Sequence, residues 1–247
     1  MSLDKISLEK LFSADQIEKQ IVGFDRCFSD SKSGVVTFAH YQTNEGVPVD
    51  CVDTVVLTCN AIDGDAAAQF FLALCYRYGN GVPQNNTEAI KWFQKAAVQG
   101  FAMAQTFLGV HYQNGEGAPQ DRTKAARWFR RAAKQGNADA QSYLGVCYYN
   151  GEGVAQDHAK AARLFRRAAK QGHIIAQLFL GECFRNGEGT LQDHIKAAKW
   201  FHRAAEQGNA DAQYRLAWCY LKGEGVPKDV LESVKWWVRA EKQKKED

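Results

Sequence analysis

Apolar residues along most of the chain recur at three- and four-residue intervals, the spacing of one face of an α-helix. In Ala138-Asp139-Ala140-Gln141-Ser142-Tyr143-Leu144-Gly145-Val146-Cys147-Tyr148, the residues Ala140, Leu144, Cys147 and Tyr148 share one stripe, which predicts a helix with that stripe in the core. Asn150-Gly151-Glu152-Gly153 then predicts a stop, because glycine supplies the positive φ needed past a helix end. A second type of helix carries Ala125, Trp128, Phe129, Ala132 and Ala133 on its apolar stripe, with Lys124, Arg127, Arg131 and Lys134 toward solvent. Asp121, Asp157, Asp193 and Asp229, with Asn85 in the first copy, stand where a side-chain oxygen caps this second helix. Glu88 and Glu232 complete capping boxes in two copies; Gly136 ends the helix and Asn137 caps the next.

The alternation of two helix types is periodic. Gln69, Gln105, Gln141, Gln177 and Gln213 lie 36 residues apart, as do Gly81, Gly117, Gly153, Gly189 and Gly225. The predicted fold is therefore all-α, built of antiparallel helix pairs with a 36-residue repeat, over residues 66–101, 102–137, 138–173, 174–209 and 210–241. Gly109, Gly145 and Gly181 sit mid-helix, replaced by Ala73 and Ala217 in the end copies. Glycine there costs about 1 kcal/mol against alanine, so a close helix crossing is expected at this position.

Upstream, Tyr41-Gln42-Thr43-Asn44-Glu45-Gly46-Val47-Pro48 parallels Tyr76-Arg77-Tyr78-Gly79-Asn80-Gly81-Val82-Pro83, so residues 31–65 read as a degenerate sixth pair, with Val55, Val56 and Leu57 near the Trp-Phe positions. Before it, Ser13-Ala14-Asp15-Gln16 opens a helix with Ile17, Ile21, Phe24 and Phe28 on one face. Residues 1–30 are then either a cap over the apolar flank of the array or a partner-binding arm. Val230, Leu231, Val234 and Val238 make the last helix more apolar than its counterparts, an edge that could dimerise or continue into further chain. The charged tail 242–247 reads as a true end.

The consensus Ala-x-Ala-Gln-x-x-Leu-Gly-x-x-Tyr-x-x-Gly-x-Gly-Val, then Lys-Ala-x-x-Trp-x-x-Lys-Ala-Ala-x-x-Gly, resembles the Sel1-like repeat, a relative of the tetratricopeptide repeat, over about residues 66–241. The resemblance implies a right-handed α-solenoid acting as a non-catalytic adaptor in signalling or protein-quality control or, in bacterial pathogens, in host interaction. By the same resemblance the first helices line a concave groove. Their varying positions give the expected partner-binding set: Phe70, Leu74 and Arg77; Thr106, Val110 and Gln113; Ser142, Val146 and Tyr149; Leu178, Glu182 and Arg185; Tyr214, Trp218 and Leu221. A protein or peptide ligand is expected there, with Trp218 the foremost anchor. Val110 and Val146 have packing against the adjacent repeat as their alternative role.

Composition alters this picture little. A formal charge of +3 leaves any polyanion role to local clusters. Lys124, Arg127, Arg130, Arg131 and Lys134 recur as Lys160, Arg163, Arg166, Arg167 and Lys170, then Lys196, Lys199 and Arg203, a basic stripe on the second helices that gives nucleic-acid or acidic-surface binding as the alternative function. Glu116, Glu152 and Glu188 offset part of it. Cys75, Cys147, Cys183 and Cys219 share one column with His111, and equivalent positions about 10 Å apart exceed the reach of a disulfide, so they read as small buried hydrophobes. Disulfide-rich secreted relatives, some described as β-lactam-binding hydrolases, pair cysteines on both helices; here the second helices have none, which leaves that activity a remote alternative. Cys27, Cys51 and Cys59 have no assigned role. The six histidines read as surface residues without metal-ligand spacing, and neither a cofactor nor a catalytic set is expected. No stretch reaches the roughly 18 apolar residues of a membrane span, and Met1-Ser2-Leu3-Asp4-Lys5 is no secretory signal, so a cytoplasmic protein is expected, with delivery into a host the other route.

Overall fold

The computed structural model describes residues 54–246. The helix expected around Ser13 to Phe28, residues 31–53 of the degenerate copy, and Cys27 and Cys51 lie outside the described residues. Eleven helices and no strands occur among the described residues. They are α1 (Thr54–Ile62), α2 (Ala66–Tyr78), α3 (Asn86–Val98), α4 (Ala102–Asn114), α5 (Arg122–Lys134), α6 (Ala138–Asn150), α7 (His158–Lys170), α8 (Ile174–Asn186), α9 (His194–Glu206), α10 (Ala210–Lys222) and α11 (Val230–Glu246). Two compact units result, one holding the described residues up to Ala104 with Glu116–Ala118, the other Gln105–Gly115 and everything from Pro119 onward.

Local chemistry sets the helix limits. Asp157 Oδ1 accepts from the Lys160 amide at 2.9 Å, Asp193 from Lys196 at 2.9 Å and Asp229 from Glu232 at 3.0 Å, satisfying amides that have no partner inside their own helices. Asn137 and Asn209 do the same for α6 and α10, and His173 Nδ1 replaces them at α8, accepting from Ala176 at 3.1 Å. The capping boxes expected at Glu88 and Glu232 do not form. The amide each would have bound is already taken, Asn85 N by the Tyr76 carbonyl and Asp229 N by the Tyr220 carbonyl. The two carboxylates turn outward instead and pair with Lys91 at 2.6 Å and Lys235 at 2.5 Å.

In the N-terminal unit, Phe70 is wholly buried on α2 and touches Phe71, Phe93 and Phe101, with ring centroids 5.2, 5.7 and 5.2 Å away. Gln69 Nε2 donates to the Ala61 carbonyl of α1 at 3.0 Å. The buried Leu57 of α1 stands 36 residues before Phe93.

The C-terminal unit stacks successive hairpins through the same contacts. Phe129 of α5 lies on Tyr143 of α6 at 4.9 Å, and Phe165 of α7 on Phe179 of α8 at 5.0 Å, both pairs nearly parallel. Gln141, Gln177 and Gln213 each donate to a carbonyl of the preceding second helix, at Ala133, Ala169 and Ala205. The crossing expected at the mid-helix glycines is present: a Cβ on Gly109, Gly145 or Gly181 would stand within 2.4 to 2.6 Å of the ring of Phe129, Phe165 or Phe201. The loop glycines answer a second demand besides positive φ. A Cβ on Gly153, Gly189 or Gly225 would collide with the carbonyl of Arg122, His158 or His194, at the start of the previous second helix.

Candidate functional site

Burial divides the expected groove set. Phe70, Leu74, Arg77, Thr106, Val110, Gln113, Ser142, Val146, Tyr149, Leu178 and Glu182 are all buried; they pack the repeats and offer a partner little or no surface. In a stacked array these positions are spent on neighbouring helices. Tyr149 illustrates the reason. Its ring meets His158, Phe165 and Phe179, and its hydroxyl donates to Glu188 of the next loop, while burial pushes its pKa well up. The loop glutamates are therefore structural partners as well as offsets to the basic stripe: Glu116 pairs with Arg77 at 3.0 Å and Glu152 approaches Arg122 at 3.9 Å.

Glu182 is a buried carboxylate held between two cations, Arg185 of its own helix at 2.5 Å and Arg215 of α10 at 2.7 Å. Burial raises its pKa, and the two guanidinium groups pull the other way. A carboxylate this enclosed ties α8 to α10, a role its sequence position does not disclose.

Arg185, Tyr214, Trp218 and Leu221 remain accessible. The column of Trp218 shows the change: its counterparts Leu74, Val110, Val146 and Glu182 are at most 4% exposed, whereas the Trp218 indole is 49% exposed. One turn earlier on α10, Tyr214 begins an aromatic pair. Tyr214 sits edge-on to Trp237 at 6.3 Å, and both donate to Glu241, at 2.6 and 3.3 Å. Lys222 lies 5.0 Å from the Trp218 ring and Lys244 4.5 Å from that of Tyr214.

Trp237 is absent from the expected set, although the sequence carries a signal for it. It occupies the position of Phe129, Phe165 and Phe201, which are wholly buried, yet it is 54% exposed. Val234, in the column of the buried Ala126, Ala162 and Ala198, is equally open. In α11 it is Trp236, one residue earlier, that turns inward.

Cys75, Cys147, Cys183 and Cys219 are buried free thiols, and burial pushes their pKa values up to about 11 or 12, far from a reactive thiolate. Cys59 is exposed. Two histidines depart from the surface placement: His111 is wholly enclosed and His173 is a buried cap whose Nε2 lies 3.2 Å from Asp139. Among the described residues no three His, Cys, Asp or Glu side chains converge as metal ligands, and no described helix is long and apolar enough to cross a membrane.

The Sel1 repeat pattern matches residues 66–101, 102–137, 138–173, 174–209 and 210–244. The chain is similar to c5321, a protective antigen present in uropathogenic Escherichia coli strains and displaying an SLR fold, with a TM-score of 0.75 and 38% identity over 78% of this chain. It spans only 41% of that protein's length. A Sel1 repeat protein from Oxalobacter formigenes aligns at a TM-score of 0.72 and 33% identity, covering 76% of this chain and 78% of the other. The immunity protein Pa5087 from Pseudomonas aeruginosa, at 20% identity and a TM-score of 0.50 over 77% of this chain and 73% of its own, shares the fold alone. Comparison with the curated proteins gives no match. On the repeat match and these likenesses, the chain belongs to the Sel1 repeat family, whose repeats generally mediate protein–protein interaction.

Proposed function

We propose that the protein is a non-catalytic adaptor that docks a protein or peptide on the open end of its first-helix face, at Arg185, Tyr214, Trp218 and Leu221 and onto the adjoining Trp237. The observation that carries this reading is the half-exposed Trp218 indole in a column whose other members are buried. A rigid aromatic side chain already standing in solvent gives up little rotamer entropy on binding and covers much area, the property that makes tryptophan a frequent anchor. Neighbouring Lys222 and Lys244, with Glu241 between the rings, supply the polar rim such an anchor needs.

The test is affinity capture from the source cells with wild type and with Trp218→Ala. The expected result is loss of specific partners at unchanged helicity; capture of the same partners at equal yield would remove this face from the account. A second copy of the chain is one candidate partner, because Val234 and Trp237 leave α11 with an uncovered apolar edge. Sedimentation at rising concentration, with Trp237→Ala alongside, separates a dimer through α11 from a monomer that binds another protein.

A further inference from the structure

A cleft of about 430 Å³ opens between α5 and α7 in the C-terminal unit, over the outer side of α6. Five cations line it, Arg130 and Lys134 from α5 and Lys160, Arg163 and Arg167 from α7, and no carboxylate does. Its floor is apolar, formed by Ala133, Leu144 and Leu164 with the ring of Tyr148. Two of the cations are engaged: Arg130 donates to the Tyr148 hydroxyl at 3.0 Å and Lys160 reaches Asp157 at 2.8 Å. Lys134, Arg163 and Arg167 are exposed and belong to no described ion pair. Like charges held together raise the energy of the empty cleft, and an anion beside Lys134, Arg163 and Arg167 relieves it.

The arrangement recurs once and then stops. One repeat further on, Arg166, Lys170, Lys196, Lys199 and Arg203 occupy the equivalent positions. Arg166 and Lys196 lie 5.7 and 5.5 Å from Phe184 as Arg130 and Lys160 lie 6.0 and 5.4 Å from Tyr148. Another repeat on, Glu206 and Glu232 take two of the five places, the first 3.4 Å from His202 and the second paired with Lys235. The full set of five cations thus spans two successive repeats and gives way to negative charge toward the C-terminal end.

We propose that this cleft, extended by the equivalent cations of the next repeat, binds an extended acidic segment of a partner protein, with carboxylates on the cation-lined rim and aliphatic side chains on the apolar floor. A nucleic-acid strand would also satisfy the charge, but the cleft offers its bases a single aromatic ring, Tyr148, whose hydroxyl already accepts from Arg130.

Fluorescence anisotropy tests the proposal with three probes: a short synthetic peptide of glutamate and aspartate with interspersed leucine, the same peptide with every acid replaced by its amide, and single-stranded RNA of equal charge. Only the acidic peptide is expected to bind with useful affinity, more weakly as salt rises. The double reversal Arg163→Glu with Arg167→Glu, at exposed helix positions, should keep the helical circular dichroism and weaken the acidic peptide about tenfold or more. Trp218→Ala, outside the cleft, should bind it as wild type does. Equal binding of the amide peptide, tighter binding of the RNA, or an acidic-peptide affinity indifferent to the double reversal would each overturn the assignment.

Discussion

Gly145 and Phe165 form a close recurring contact in the repeat, a glycine against an aromatic ring that is itself stacked on Phe179. Adding a methyl group at Gly145 gains about 1 kcal/mol of helix propensity, while forcing a close-packed ring aside costs about 1–3 kcal/mol. The second effect is the larger. Gly145→Ala is expected to lower stability by about 1 kcal/mol net, read as a fall in Tm; a rise would mean that the ring moves freely. Alanine already stands in this column at Ala217, where the equivalent ring, Trp237, is turned outward, and at Ala73, where Phe93 stays buried. Glycine in mid-helix was legible as a packing signal because its cost had to be repaid locally. Arg77 and Glu182 were not legible as buried, because a charged residue on a helix surface reads as solvated until its partners, here Glu116 and Arg215, arrive from elsewhere in the fold.

At the scale of the helix, the aspartate caps make stability depend on acid. Asp121, Asp157 and Asp193 all have pKa values held low by the amides and lysines three residues on: the Lys124 amide leads for Asp121, and the Lys160 and Lys196 ammonium groups lead for the other two. A carboxylate with a depressed folded-state pKa contributes fully above its unfolded value, near 4, and loses that contribution as pH falls through the lower folded value. Acid is therefore expected to fray the starts of α5, α7 and α9. Replacing all three aspartates by asparagine, which already caps α3 at Asn85 and carries no charge to lose, should shift the acid midpoint of helicity to lower pH. An unmoved midpoint would assign the transition to other groups. Helix positions and caps were legible in the sequence because both are set within a few residues. The capping boxes misled because the competing acceptors, the Tyr76 and Tyr220 carbonyls, belong to the preceding helix.

Over the C-terminal unit as a whole, stability should fall toward its last hairpin. Every second helix from α5 to α9 has its outer columns covered, whereas Val234 and Trp237 of α11 stand half in solvent. The glutamine ladder also gives out: Gln171 donates to Gln141 at 3.0 Å and Gln207 to Gln177 at 2.8 Å, but the buried Oε1 of Gln213 receives nothing. An array that gains its stability repeat by repeat opens from the end with the fewest neighbours. Besides its apolar contacts and the hydrogen bonds of Gln213 and Tyr214, α10 is held by the Arg215 ion pair to Glu182. Removing one partner of a buried pair costs up to about 3 kcal/mol, and less here because Arg185 still faces Glu182 and Arg215 is partly exposed. Arg215→Ala is therefore expected to speed amide hydrogen exchange in α10 and α11 while leaving α6 and α7 at wild-type protection. Uniform acceleration across the unit would instead mean that it unfolds as one block. The same measurement bears on function, since a partner seated on Trp218 and Trp237 covers the hairpin that opens most readily and should slow exchange there first.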